Sequence, residues 1–308
     1  MKKEILLIVN PCAGKGKINK YIPDICDNLE KQGYELEVIY TSKENDGYSI
    51  IKNYIRYIDT VIVCGGDGTL NEVINGVIDS NRKINVSFIP VGTTNDFART
   101  VKMPINKLVL SKKLSKFKKQ EVDIGRFNNK YFYYVAAFGA FSDISYITKQ
   151  KDKNKLGRIA YFKEALNKIK NTKKVKTYKT SIVTDNEIIK DEFIYGGISN
   201  SISIAGFKWF KKNDFSINDG LFEVILVKKP NHFWDAVTIA YSIVRKKYDQ
   251  KDIYYLKTKH LKIDFEENVT WTLDGEEGQP SKEFFIENNK GKINMLIPKR
   301  RKKWDRIC

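Results

Sequence analysis

Val61-Ile62-Val63-Cys64-Gly65-Gly66-Asp67-Gly68-Thr69-Leu70-Asn71-Glu72 is the stretch that decides the fold. Its first four residues are apolar and mostly β-branched, a short run that reads as a buried strand. From Leu70 the apolar period changes, and Leu70, Val73, Ile74 and Val77 fall on one face of a helix. Between strand and helix lie three glycines around one acid. Glycines let backbone N–H groups approach an anion with no Cβ in the way, and the helix N-terminus turns its positive end toward the same point. A carboxylate inside a phosphate cradle repels phosphate unless a cation sits between them. Asp67 therefore predicts Mg²⁺ held by carboxylate, water and phosphate oxygens. The plainer alternative is a glycine-rich turn with Asp67 as a helix cap.

Upstream the same alternation repeats. Glu4–Val9 and Glu35–Tyr40 read as strands. Ile22, Ile25, Cys26 and Leu29 share a helical face that Gly33 terminates, and Tyr48, Ile51 and Ile55 predict a second helix. Downstream, Val86–Ile89 is a fourth strand before Pro90. Strands alternating with amphipathic helices predict a parallel sheet covered on both faces, with ligands bound at the carboxyl ends of its strands.

Two more loops share that edge. Asn10-Pro11-Cys12-Ala13-Gly14-Lys15-Gly16-Lys17 has the wrong glycine spacing for a Walker A loop and lacks its closing Lys-Ser or Lys-Thr. Alone it reads equally well as an ordinary loop; beside the Asp67 loop it can form the opposite wall of a nucleotide cleft. Pro90–Arg99 offers the hydroxyls of Thr93 and Thr94, the Asn95 amide and the Asp96 carboxylate.

After Pro104 the pattern becomes mostly antiparallel. Hairpins are predicted at Asn128-Asn129-Lys130 and at Asp185-Asn186. Strand-like runs follow at Leu221–Val227, Asp252–Leu256, His260–Phe265, Val269–Leu273, Glu283–Ile286 and Lys292–Ile297, with helices near Gly157–Lys170 and Asn231–Lys247.

Composition narrows the function classes. In 308 residues, 42% hydrophobic and 30% charged residues are globular values. No apolar run approaches the ~18–20 residues that span a bilayer. Met1-Lys2-Lys3 with Ile5–Val9 suits a buried strand better than a signal peptide. The four cysteines lack paired or metal-ligand spacing and read as reduced thiols of a cytoplasmic protein; two histidines on unrelated segments leave no material for a His-based triad or zinc site. A formal charge of +18 attracts polyanions, either nucleic acid or an anionic membrane face, or else is a solvated lysine-rich surface.

Taken together, Asn10-Pro11-x-x-Gly14, Gly65–Glu72, Gly92-Thr93-x-Asn95-Asp96-Phe97-Ala98, Asp219-Gly220-Leu221 and Asp274-Gly275-Glu276 resemble the diacylglycerol kinase catalytic-domain family, specifically the soluble bacterial lipid kinases. The glycine–aspartate loop alone is shared with NAD kinases and phosphofructokinase-like folds. The resemblance implies an ATP-binding α/β domain over residues 1–120, to which 298–308 return, and a β-sandwich lipid-substrate domain over 121–297. It places nucleotide contacts on Asn10, Pro11, Cys12, Ala13 and Gly14, on Thr41, on Gly66, Asp67, Gly68, Thr69, Leu70, Asn71 and Glu72, and on Thr93.

It also implies a structural Mg²⁺ at Asp219, completed by the carbonyls of Ser216 and Leu221; the residues alone would read as an ordinary turn. Asp274-Gly275 is likewise a bare hairpin turn by its residues. In the family Glu276 takes the proton from the lipid hydroxyl, while Asp274 and Asp67 organise Mg²⁺ and water. Ala205-Gly206, with Asn213 and Phe215 in the family's usual Pro and Ala positions, departs from the pattern near the metal turn. The expectation is a cytoplasmic, Mg²⁺- and ATP-dependent lipid kinase acting on diacylglycerol or a related alcohol, associated peripherally with anionic membrane and binding no nucleic acid. A homodimer stays open. The alternatives are an NAD kinase-like enzyme, or an inactive basic regulatory or nucleic-acid-binding protein.

Overall fold

The computed structural model describes residues 3–92, 95–139, 176–204, 207–211 and 214–299. The expected helix near Gly157–Lys170 lies outside these residues. The chain divides into two compact units, one comprising Met1–Val122 and Gly291–Cys308, the other Asp123–Lys290.

The first unit begins with β1 (Lys3–Val9), α1 (Ile22–Glu30), β2 (Tyr34–Tyr40), α2 (Asp46–Asn53), β3 (Thr60–Gly65), α3 (Asp67–Asp79) and β4 (Asn85–Pro90). Then come α4 (Asp96–Val101), α5 (Lys107–Lys113) and the start of β5 (Lys118–Phe127). Strand pairing is parallel throughout, β2–β1–β3–β4. β1, β3 and β4 are almost wholly buried, as continuous β-branched runs covered on both faces must be. Helices pack as two pairs, α2 on α3 and α1 on α5.

The second unit continues with β6 (Lys130–Phe132), β7 (Val135–Gly139), β8 (Tyr178–Thr184), β9 (Ile188–Ser199), β10 (Ser203–Ile204), β11 (Phe207–Lys208) and β12 (Phe222–Lys228). It goes on through α6 (Phe233–Arg245), β13 (Ile253–Thr258), β14 (His260–Val269), β15 (Thr272–Leu273), β16 (Glu276–Glu277) and most of β17 (Ser281–Ile297). Pairing here is antiparallel. β9 is the hinge of the arrangement: its first half pairs with β8, its second half lies between β7 and β12. The two layers so joined form a β-sandwich. Its core is aromatic, with Trp271 ring to ring with Phe138 at 4.8 Å, Phe127 at 5.1 Å and Phe284 at 5.5 Å.

The structure therefore has the expected class, a parallel α/β unit and an antiparallel β-sandwich, but several elements differ. Ile55 is not helical; α2 ends at Asn53, and Ile55 is 97% exposed beyond it. Val269–Leu273 is not one strand: β14 stops at Val269 and β15 starts at Thr272. Glu283–Ile286 and Lys292–Ile297 are parts of one strand, since β17 runs straight through Asn288-Asn289-Lys290-Gly291. Its last residues add a parallel strand to the first unit, with Asn294 opposite Asn85 and Met295 opposite Val86. The short helix α5 was hidden by its lysines; Asn106 caps it by accepting from the Leu108 N–H at 3.0 Å.

Candidate active site

Because β1–β4 are parallel, the loops after them emerge at one edge. The loops are also tied to one another. Asn10 N–H donates to the Cys64 carbonyl, Thr41 N–H to that of Val9, and Val91 N–H to that of Gly65, each at 2.9 Å. The Asn10 side chain donates to Thr69 Oγ1 at 3.0 Å, joining the first loop to the first turn of α3. Gly14 sits at φ +60°, and a Cβ there would lie 2.6 Å from the Val91 carbonyl oxygen. A Cβ on Gly92 would meet the Gly66 backbone at 2.8 Å. These approaches are why glycine occupies both positions: the three loop backbones touch.

Gly66 is the N-cap of α3 and Asp67 its first residue. The N–H groups of that first turn lack helical partners and present positive charge at the sheet edge. Asn10, Gly14, Thr41, Gly66 and Asp67 thus share one edge of the first unit. Three other expected nucleotide contacts also make contacts within the fold. Leu70 and Asn71 are buried in α3, where Asn71 Oδ1 accepts from Asn75. Glu72 accepts from the Asn45 and Gly47 N–H groups at 3.1 and 2.9 Å, capping the start of α2. Thr93 lies outside the described residues.

In the second unit, Asp274 and Gly275 have φ of +52° and +95° and form the two-residue turn that closes β15 onto β16. Asp274 is buried. Its Oδ2 accepts from Tyr133 N–H at 2.9 Å; its Oδ1 accepts from Tyr134 and Val135 at 2.9 and 2.8 Å. Three charge-assisted bonds commit this carboxylate to the backbone of one segment. Glu276, two residues on, is exposed at the base of the turn. Asp274 thus holds the turn and Glu276 is presented by it, a division of labour that the residues alone did not suggest.

The Asp219 turn belongs to the same network. Tyr134 carbonyl accepts from Asn200 N–H, and the Asn200 side chain donates to the Asp123 carbonyl at 2.7 Å. The fully buried Asp123 carboxylate accepts from Gly220 N–H at 2.7 Å. Asp219 Oδ1 accepts from Leu221 N–H at 3.1 Å, and Ser216 Oγ donates to Asn218 Oδ1 at 3.0 Å. Lys257 Nζ lies 3.0 Å from Glu223 Oε1 and 3.7 Å from Asp219 Oδ2. Burial pushes the Glu223 carboxyl up to about 8, against the pull of Lys257 and helped by the charge of Asp219. The groups expected to meet a cation here, the Asp219 carboxyl and the carbonyls of Ser216 and Leu221, offer oxygen, which suits a hard cation. Among the described residues no group of three or more His, Cys, Asp or Glu could enclose a metal, so a cation here would depend on Asp219, carbonyls and water.

Asp123, Asn200, Glu223 and Lys257 were missed in the sequence. The signal was there for two of them: Val122-Asp123-Ile124 and Phe222-Glu223-Val224 each place an acid inside an otherwise apolar strand.

The model of the diacylglycerol kinase catalytic domain matches residues 4–127. A diacylglycerol kinase of Staphylococcus saprophyticus is 31% identical over 305 residues, covering 97% of this chain and 96% of that protein. The chain belongs to the diacylglycerol kinase family. A Bacillus subtilis diacylglycerol kinase is 28% identical over 300 residues, covering 96% of this chain and 97% of that protein. The crystal structure of a candidate diacylglycerol kinase from Bacillus anthracis str. Sterne superposes with a TM-score of 0.80 at 27% identity, covering 96% and 95%. As a member of this family the chain is a lipid kinase, with ATP as co-substrate. Among the described residues, no helix is long and apolar enough to cross a membrane.

Proposed function

We propose that the chain transfers the γ-phosphoryl group of ATP to the hydroxyl of diacylglycerol, giving phosphatidic acid. The observation that carries the nucleotide half is the Asp67 carboxylate in the first turn of α3, at the sheet edge where three glycine-bearing loops touch. The loop backbones at Asn10–Gly14 and Gly66–Thr69 would cradle the phosphates, with Thr41 on the same edge. Asp67 is the residue that would hold Mg²⁺; when bound, the ion supplies charge neutralisation between carboxylate and phosphate. Asp219, with the carbonyls of Ser216 and Leu221, would hold a second Mg²⁺ of structural role.

On the acceptor side, Glu276 takes the proton of the attacking hydroxyl. Exposure leaves its side chain reachable, and the Asp274 clasp fixes the turn that carries it. The names of the relatives favour diacylglycerol as acceptor. The enzyme would work in the cytoplasm, peripherally at an anionic membrane face, and the +18 charge supports that placement. Labelled ATP offered with a panel of diacylglycerol, undecaprenol, phosphatidylglycerol, a sphingoid alcohol and NAD tests the reading. Label should enter diacylglycerol first; preferential labelling of NAD would overturn it.

A further inference from the structure

Helix α6 is amphipathic, as a surface helix must be, with Ala236, Ile239 and Ala240 buried. Its other face is unusual. Trp234 is 74% exposed, Tyr241 58% and Val244 56%, three large side chains exposed on one short helix. At 100° per residue Trp234, Thr238, Tyr241 and Arg245 fall within a narrow arc, with Val237 and Val244 along one side. From Trp234 to Val244 the stripe runs about 15 Å along the axis.

Its flanks are basic. Lys228 and Lys229 precede the helix, and Arg245, Lys246 and Lys247 end it. Lys228 pairs with Asp191 at 2.6 Å and Lys246 Nζ donates to the Phe210 carbonyl at 3.2 Å, while Lys229, Arg245 and Lys247 are exposed. Six basic residues stand against three acids from Lys228 to Asp252. Of those acids, Asp235 is already engaged, accepting from the Asn231 and His232 N–H groups at 3.0 and 2.9 Å. The Arg245 guanidinium lies 5.3 Å from the Tyr241 ring centroid, so charge and aromatic surface sit together.

We infer that this face of α6 is the surface with which the enzyme docks on an anionic bilayer, its aromatic stripe entering the headgroup region and its basic ends meeting lipid phosphates. Trp and Tyr are the side chains that favour the membrane–water boundary, and Lys and Arg beside them add attraction to anionic lipid. Charge argues against a second copy as the occupant: two α6 faces brought together would oppose their basic ends in a protein already at +18. The inference deepens the lipid kinase reading above by naming the surface of approach, and it concerns residues distinct from those assigned to chemistry.

The test uses the full chain without ATP or acceptor, so it does not depend on turnover. Parent protein should sediment with vesicles containing phosphatidylglycerol and much less with pure phosphatidylcholine. The Trp234→Ser, Tyr241→Ser double variant should partition at least ~10-fold more weakly, the effect of removing aromatic surface that buries on docking. Arg245→Glu with Lys247→Glu should weaken binding to anionic vesicles and leave the neutral ones unchanged. Should the serine variant fold poorly, Trp234→Phe keeps the apolar ring, and brominated lipid should quench tryptophan emission in the parent more than in this variant. Parental vesicle binding by the serine variant, or quenching untouched by Trp234→Phe, would overturn the inference. A parent dimer that dissociates in the serine variant while vesicle binding persists would overturn it too, in favour of self-association. Failure to phosphorylate any lipid alcohol would instead remove the proposed reaction and leave the docking surface standing.

Discussion

Asp274→Ala separates two accounts of the same turn, one in which its carboxylate works on the reactants and one in which it holds the backbone. The carboxylate accepts three buried N–H groups, from Tyr133, Tyr134 and Val135, at 2.8–2.9 Å. Alanine leaves those three donors without it, and each buried donor so stranded costs about 1–3 kcal/mol. Alanine also tolerates the +52° φ of this position less well than Asp, by roughly 1 kcal/mol. The loss is therefore about 4 kcal/mol or more, which in a unit of this size lowers the melting temperature by about 10 °C. Asp274→Asn keeps one accepting oxygen but turns an NH₂ toward one N–H, and should lose about 1–3 kcal/mol. Thermal melts followed by circular dichroism, with turnover measured well below the transition, give the answer. An Asp274→Ala protein that melts with the parent but has no turnover would refute the structural role and return the acid to the chemistry.

Glu276→Gln should melt with the parent, since the side chain is exposed, yet lose turnover by at least ~10²-fold; near-parental turnover would remove it as the base. Gly14→Ala should weaken ATP binding, seen by calorimetry, because its Cβ would lie 2.6 Å from the Val91 carbonyl and push two loops apart; unchanged affinity would show that this contact does not shape the cradle. Chelator should lower the melting temperature of the parent and shift Asp219→Ala little; equal shifts in both would exclude the structural cation at that turn.

Legibility followed distance along the chain. The strand, loop and helix around Asp67 were plain because a period change and three glycines lie within twelve residues. Sheet class followed from four strands alternating with three helices. Ile55 misled because it continues a helical spacing, though α2 ends two residues earlier at Asn53. Asn288-Asn289-Lys290-Gly291 has turn composition, yet β17 passes through it with Gly291 at φ +62°. What the sequence could not display are partners far away in the chain. Asp274 clasps residues about 140 positions earlier, Glu72 caps a helix 25 residues upstream, and Asp123 meets Gly220 across 97. Motif reading named Asp274 and Glu72 as ligand-side residues; only the fold shows the backbone groups they hold.

The most direct measurement is product identification in competition. Mixed vesicles carrying diacylglycerol with equal amounts of undecaprenol and a sphingoid alcohol are incubated with the protein, Mg²⁺ and ATP, and the lipid phosphates are resolved by mass spectrometry. The account predicts phosphatidic acid as the leading product, formed with one ADP each and absent with Glu276→Gln. Another lipid phosphate dominating, or ADP released with no lipid phosphate at all, would contradict it.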